Sequence, residues 1–151
     1  MKRHHPIVPP LGLAATAAMA LYMAAQLHAQ RGVQAGDFTN AAIAEVQDAQ
    51  GQIVLRGQFA VVDEQDQDDV ERKAALQPVG NDADAAGEAE VEVSRTTPVQ
   101  QEIEFSVRNL QAGTSVRFFI DGQVVGQASV DRRGRAELEV AVPGSAADAA
   151  R

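Results

Sequence analysis

Phe118-Phe119-Ile120-Asp121-Gly122-Gln123-Val124-Val125-Gly126-Gln127-Ala128-Ser129-Val130-Asp131-Arg132-Arg133-Gly134-Arg135-Ala136-Glu137-Leu138-Glu139-Val140-Ala141-Val142 is the stretch that decides the fold class. It contains three apolar-alternating runs separated by Asp121-Gly122 and by Asp131-Arg132-Arg133-Gly134. Asp-Gly between β-rich runs marks a tight hairpin, because Gly accepts the positive φ of a primed turn. Gly134 suits the left-handed position that ends a three-residue loop. Pairing Asp131 with Arg135 sets Val130 opposite Ala136 and Ala128 opposite Leu138. Gln127, Ser129, Glu137 and Glu139 then share the polar face, as in a half-buried antiparallel pair. The expectation is an antiparallel meander. The adjacent pairs Phe118-Phe119 and Val124-Val125, followed by Gly126, place a bulge within Val124–Gly126.

Two further runs alternate as cleanly. Ala89, Val91 and Val93 face inward in Glu88–Ser94, and Ile103, Phe105 and Val107 do so in Gln100–Arg108. Keeping both apolar sets on one face requires an even residue sum, for example Val91 opposite Phe105, and so an odd loop or a bulge. Asp84–Val93 matches Asp131–Val140 at six of ten positions. Both read as a Gly-closed turn that launches an alternating strand.

The amino-terminal half is less decided. Gln52–Val61 reads as one strand with Ile53, Leu55, Gly57, Phe59 and Val61 on a single face. Ala41–Gln47 admits either a helix, capped by Thr39 or Asn40, or a hairpin partner for that strand. The hairpin needs one extra residue, in the loop or as a bulge at Gln52 or Ile53. Val46 then meets Leu55, Ala42 meets Phe59, and Glu45 meets Arg56 as an opposite-charge pair. Arg72–Leu76 reads as a short strand, with one or two helical turns as its rival. Val62–Asp69 and Pro78–Gly87 read as loops.

The expected fold is therefore all-β, an antiparallel two-sheet sandwich of immunoglobulin- or fibronectin-like architecture with seven or eight short strands. The expected layout is a secretory signal peptide over 1–29, a flexible lead over 30–40, the β domain over 41–142 and a disordered tail over 143–151. Met1-Lys2-Arg3-His4-His5 supplies the basic n-region, Leu11–Ala25 the apolar core and Leu27-His28-Ala29 the cleavage site. About 15 apolar residues are short for a membrane span, which needs about 20. An uncleaved anchor is the alternative. Cysteine is absent, which removes disulfides, thiolate chemistry and lipid attachment at a processed cysteine.

Cleavage would remove all three histidines, Lys2 and Arg3. The formal charge would deepen from −8 to −10, with Lys73 as the one remaining lysine. So acidic a chain, with few aromatics, is no nucleic-acid binder. Ser94, Ser106, Ser115, Ser129 and Ser145 would have no His as base, so nucleophilic catalysis has no candidate.

Three acidic groups and one basic group deserve weighing. Asp63–Glu71 contains Asp66-x-Asp68, yet no calcium loop counted from Asp63 or Asp66 finds Gly sixth and Glu twelfth. Asp82-Ala83-Asp84-Ala85-Ala86-Gly87 has the Gly but lacks ligands at its fifth and twelfth positions. Glu88, Glu90, Glu92, Glu102 and Glu104 share the outer face of one hairpin. With Val91 opposite Phe105, Glu92 would face Glu104 and Glu88 would face Arg108. Facing carboxylates about 5 Å apart resemble a retaining glycosidase pair, but a cleft and sugar-binding aromatics are missing. Arg132, Arg133 and Arg135 form a basic turn tip, read as solubilising. No catalytic, cofactor-binding or metal residue is expected. The expected function is an exported, non-catalytic module that binds or scaffolds a protein or polymer partner, with no membrane contact after cleavage. A small secreted carboxylate-dependent hydrolase is the alternative.

Overall fold

The computed structural model describes residues 36–63, 69–80, 82–94 and 99–143. The signal segment, Asp66 and Asp68, Ser145 and the tail from residue 144 lie outside them. The described chain forms nine antiparallel strands: β1 (Ile43–Gln47), β2 (Ile53–Gln58), β3 (Ala60–Asp63), β4 (Asp69–Pro78), β5 (Ala86–Ser94), β6 (Gln100–Arg108), β7 (Ser115–Ile120), β8 (Gln123–Ser129) and β9 (Ala136–Pro143). They follow one path, β8-β7-β1-β2-β4-β5-β6-β9, with β3 added beside β4. The path curls into a nearly closed barrel. Its two ends meet where Leu138 of β9 fills the space above Gly126 of β8.

Alternation explains the interior. Val91, Val93, Ile103, Phe105, Val107, Leu138 and Val140 point inward from β5, β6 and β9 and are all but completely buried. They meet Val46, Leu55, Phe118 and Ile120 from the other half. The Phe105 and Phe118 rings lie 4.8 Å apart at a 43° tilt, within the range where aromatic pairs attract.

Within Ala41–Gln47, Ile43–Gln47 is strand rather than helix. Glu45 faces Arg56 and Val46 faces Leu55, and the Phe59 N–H donates to the Ala42 carbonyl at 2.9 Å. The extra residue is Val54, one position beyond the expected bulge, since Gln47 pairs with Ile53. Asp48 and Asp131 build the same turn. Each accepts through Oδ1 from backbone N–H groups two and four residues on, at 2.7–2.9 Å. Each turn closes on a left-handed glycine, Gly51 at φ 83° and Gly134 at φ 76°. Asp121 and Gly122 both take positive φ, 50° and 79°, as a primed turn requires. The bulge that follows leaves Val125 unpaired, within the expected Val124–Gly126.

Other expectations change. The meander ends at β8, because β9 pairs with β6 rather than with β8. The strands part after the Asp131 turn because the connector takes up their edges: Leu110 N–H donates to Gly134 O, and Val130 N–H to Thr114 O. Gly87 closes no turn. It sits inside β5 opposite Leu76 and Val107, where a Cβ would lie 2.7 Å from the Ser106 carbonyl. The turn before β5 is earlier, closed by Ala85 N–H to Asp82 O at 3.0 Å. The 52–61 run breaks at Phe59 into β2 and β3, both lying along β4. β4 is ten residues long, because the alternation of Val70, Ala74 and Leu76 runs its whole length.

Just before β1, the chain is packed rather than loose. Phe38 is 3% exposed. Its N–H donates to the buried Gln101 Oε1 at 2.7 Å, and Gln101 Nε2 donates to Gly36 O at 2.8 Å. Arg72 Nε donates to Thr39 O at 2.7 Å. One buried amide thus holds the entering strap on both of its hydrogen-bonding atoms.

Candidate functional site: an acidic sheet face

The outward positions of β4, β5, β6 and β9 assemble one surface. Register aligns Glu71, Glu92 and Glu102 in one row, and Lys73, Glu90, Glu104 and Glu139 in the next. Glu88, Ser106 and Glu137 form a third. Eight carboxylates thus share a face with one lysine. Four like-charged pairs stand directly opposite each other: Glu71–Glu92, Glu92–Glu102, Glu90–Glu104 and Glu104–Glu139. Such pairs oppose strand pairing, an effect softened by solvent at exposed positions.

The expected grouping of Glu88, Glu90, Glu92, Glu102 and Glu104 holds, but its register moves by two residues. Val91 faces Ile103 rather than Phe105, so Glu92 faces Glu102 and Arg108 faces Ala86. Five residues separate Ser94 from its partner Gln100, and this odd number keeps the two apolar sets on one face. Sequence reading missed Glu71, Lys73, Glu137 and Glu139. The internal repeat carried the signal for the last two. β5 and β9 flank β6 on its two sides, so both must present the same glutamate-out pattern in the same direction. The repeated residues are in phase, though Glu90 and Glu139, rather than Glu90 and Glu137, meet the same Glu104.

Lys73 Nζ lies 2.7 Å from Glu71 Oε1 and 3.3 Å from Glu90 Oε2. Hydrogen bonding to Lys73 holds the Glu71 carboxyl below its ordinary range, with a further bond from Glu90. Partial burial pushes Glu90 the other way, aided by its hydrogen bond with Glu71. Two carboxylates with opposed shifts can serve as acid and base. Here they lie on an open sheet face and both are engaged by the same ammonium. Among the described residues, no group of three or more His, Cys, Asp and Glu is placed to hold a metal ion. Asp82 and Asp84 line a shallow, open depression with Ala83 and Asn109, and Asn109 Nδ2 donates to Asp84 O at 2.8 Å.

A second cluster sits where β6 ends and β9 begins. Val107 pairs with Ala136, so Arg108 and Arg135 are the next neighbours outward, on the carboxylate side of the sheet. Arg132 and Arg133 follow on the turn. All four are exposed, and none closes an ion pair among the described residues. Backbone N–H groups of Arg135 and Arg133 keep the Asp131 carboxyl below its usual range, so this carboxylate faces the turn's own backbone.

The chain matches no family model, no curated protein and no solved structure.

Proposed function

We propose that this protein is an exported, non-catalytic binding module that uses the acidic face of β4, β5, β6 and β9 to hold a partner outside the cytoplasm. The observation that carries this reading is the set of four facing glutamate pairs. The interior of β5, β6 and β9 is apolar apart from Gln101, whose amide is hydrogen-bonded, whereas the outer face sets like charges opposite each other at four adjacent places. Rules broken without a local gain point to a surface kept for its contacts. Export rests on the basic and apolar run at 1–29, and the destination is the periplasm or the exterior. We read the architecture as a two-layer sandwich of immunoglobulin-like type, with β8-β7-β1-β2 over β4-β5-β6-β9. In support, only Leu55–Pro78 and Arg56–Gln77 pair β2 with β4.

The test is binding of the labelled protein to the envelope fraction of its own producing cells. Binding should be salt-sensitive and lost in the variant E92Q/E102Q/E104Q/E139Q, which should fold normally. Envelope binding unaffected by these changes would overturn the reading. The alternative, a carboxylate-dependent hydrolase, is favoured by the opposed shifts of Glu71 and Glu90. It requires turnover of glycoside or ester substrates that disappears in both E71Q and E90Q.

A further inference from the structure

We infer that the arginine end of one molecule docks on the acidic sheet face of a second copy, so that the protein assembles head to face. This rests on the reading of that face as a contact surface and names its partner. Three observations combine. First, Arg56 is held by Glu45, Arg72 by Thr39, Lys73 by Glu71 and Glu90, and Arg117 lies over the Phe119 ring. Among the described residues, Arg108, Arg132, Arg133 and Arg135 have no such engagement. Second, the end is pre-formed: Asp131 N–H to Arg135 O at 2.7 Å and Leu110 N–H to Gly134 O at 3.0 Å lock the turn. Third, the complementary surface is on the same chain. Neighbouring strands lie about 4.8 Å apart, so Glu90, Glu104 and Glu139 present carboxylates at a spacing that guanidinium forks can bridge.

The end and the centre of the face belong to one rigid sheet and cannot meet within one molecule. Between two molecules they can. A net charge of −8 repels copies at long range. The contact forms where direct pairing of arginine with glutamate outweighs that repulsion, and because these side chains are exposed, salt weakens the pairing itself. Asp82 and Asp84, beside Asn109, set the orientation by disfavouring approach of the acidic face from their side. In this head-to-face contact each copy keeps one arginine end and one acidic face for the next, so growth continues past the dimer as a ring or a filament.

Sedimentation of the purified protein across a wide concentration range tests this. At about 0.05 M salt the average mass should climb past the dimer, and at about 0.5 M it should fall to the monomer, as screening demands. R132S/R133S/R135S should be monomeric at both. R132E/R133E/R135E and E102K/E104K/E139K should each be monomeric alone and associate when mixed, although both stay net acidic. A wild type that is monomeric throughout overturns the proposal. So does association that survives R132S/R133S/R135S, or swapped variants that fail to associate when mixed. A monomeric protein that still binds envelopes through the four glutamates would defeat this inference and leave the proposed function standing.

Discussion

The Leu138 side chain occupies the place of a side chain at Gly126: a Cβ there would stand 2.7 Å from both Leu138 Cδ1 and Cδ2. Both residues are buried, and they belong to the strands at opposite ends of the path. The two ends of the nearly closed sheet therefore meet through a large side chain over a missing one. Gly126→Ala should destabilise by roughly 1–3 kcal/mol through overpacking. Adding Leu138→Val to make room should recover part of that loss in urea unfolding. A double variant that loses the full sum of both changes would mean the two ends are held by other contacts.

Gly134 combines a positive φ with a Cβ position only 2.8 Å from the Leu110 carbonyl. Gly134→Val should therefore cost at least about 1–3 kcal/mol, the scale of a strained left-handed residue. Arg133→Val, on the exposed tip, should stay within about half a kcal/mol. Gly87→Val should be as damaging as Gly134→Val for a different reason, collision with the Ser106 backbone. Gly87→Ala separates the two mechanisms, since strand geometry tolerates Ala but the 2.7 Å approach does not. A harmless Gly87→Ala would contradict the close packing of β5 on β6.

Arg56 Nε donates to Glu45 Oε1 at 2.7 Å, and its terminal nitrogen reaches the same oxygen. The Glu45 side chain is 12% exposed and that of Arg56 51%, so the pair is partly shielded. A double-mutant cycle with Glu45→Gln and Arg56→Met should give a coupling of about 0.5–1 kcal/mol. Glu45→Arg should be strongly destabilising and largely rescued by Arg56→Glu. A coupling near zero would mean the charges are satisfied by water.

Gln101→Leu should loosen the entering strap, because it leaves the Phe38 N–H buried without an acceptor, at about 1–3 kcal/mol. Phe38→Ala should cost about 3–5 kcal/mol as a buried aromatic deletion. Hydrogen exchange should register both changes first at residues 36–42. Unchanged protection there would show that the strap is fastened elsewhere.

Carboxyl NMR titration should place the Glu90 midpoint above the ordinary 4.5 and the Glu71 midpoint below it. The signs for stability follow. The contribution of Glu90 is full below its unfolded pKa and is lost as pH rises through its raised folded value. That of Glu71 is present above its unfolded pKa and is lost as pH falls through its depressed value. Lys73→Met should lift the Glu71 midpoint. No movement there would exclude Lys73 as the principal cause.

Local chemistry was legible in the sequence wherever one strand carries its own instruction. Alternation identified the inner and outer residues of Glu88–Ser94 and Gln100–Arg108. Asp121-Gly122 and Asp131-x-x-Gly134 specified turns that need positive φ, and the doubled apolar residues beside Gly126 located a bulge. Even the Glu45–Arg56 partnership followed once Ala41–Gln47 was taken as strand. These features depend on residues a few positions apart, whose pleat and turn geometry the chain itself dictates. Pairing between distant strands was decided by tertiary structure. Nothing in Ala136–Val142 distinguishes β8 from β6 as a partner, because either would accept the same alternating face. The choice is made by loop length, the connector at Asn109–Thr114 and the fit of Leu138 over Gly126. The acidic face shares that origin: its glutamates on β5, β6 and β9 were visible as strand patterns and Glu71 on β4 was not, but four strands had to align before they became one surface.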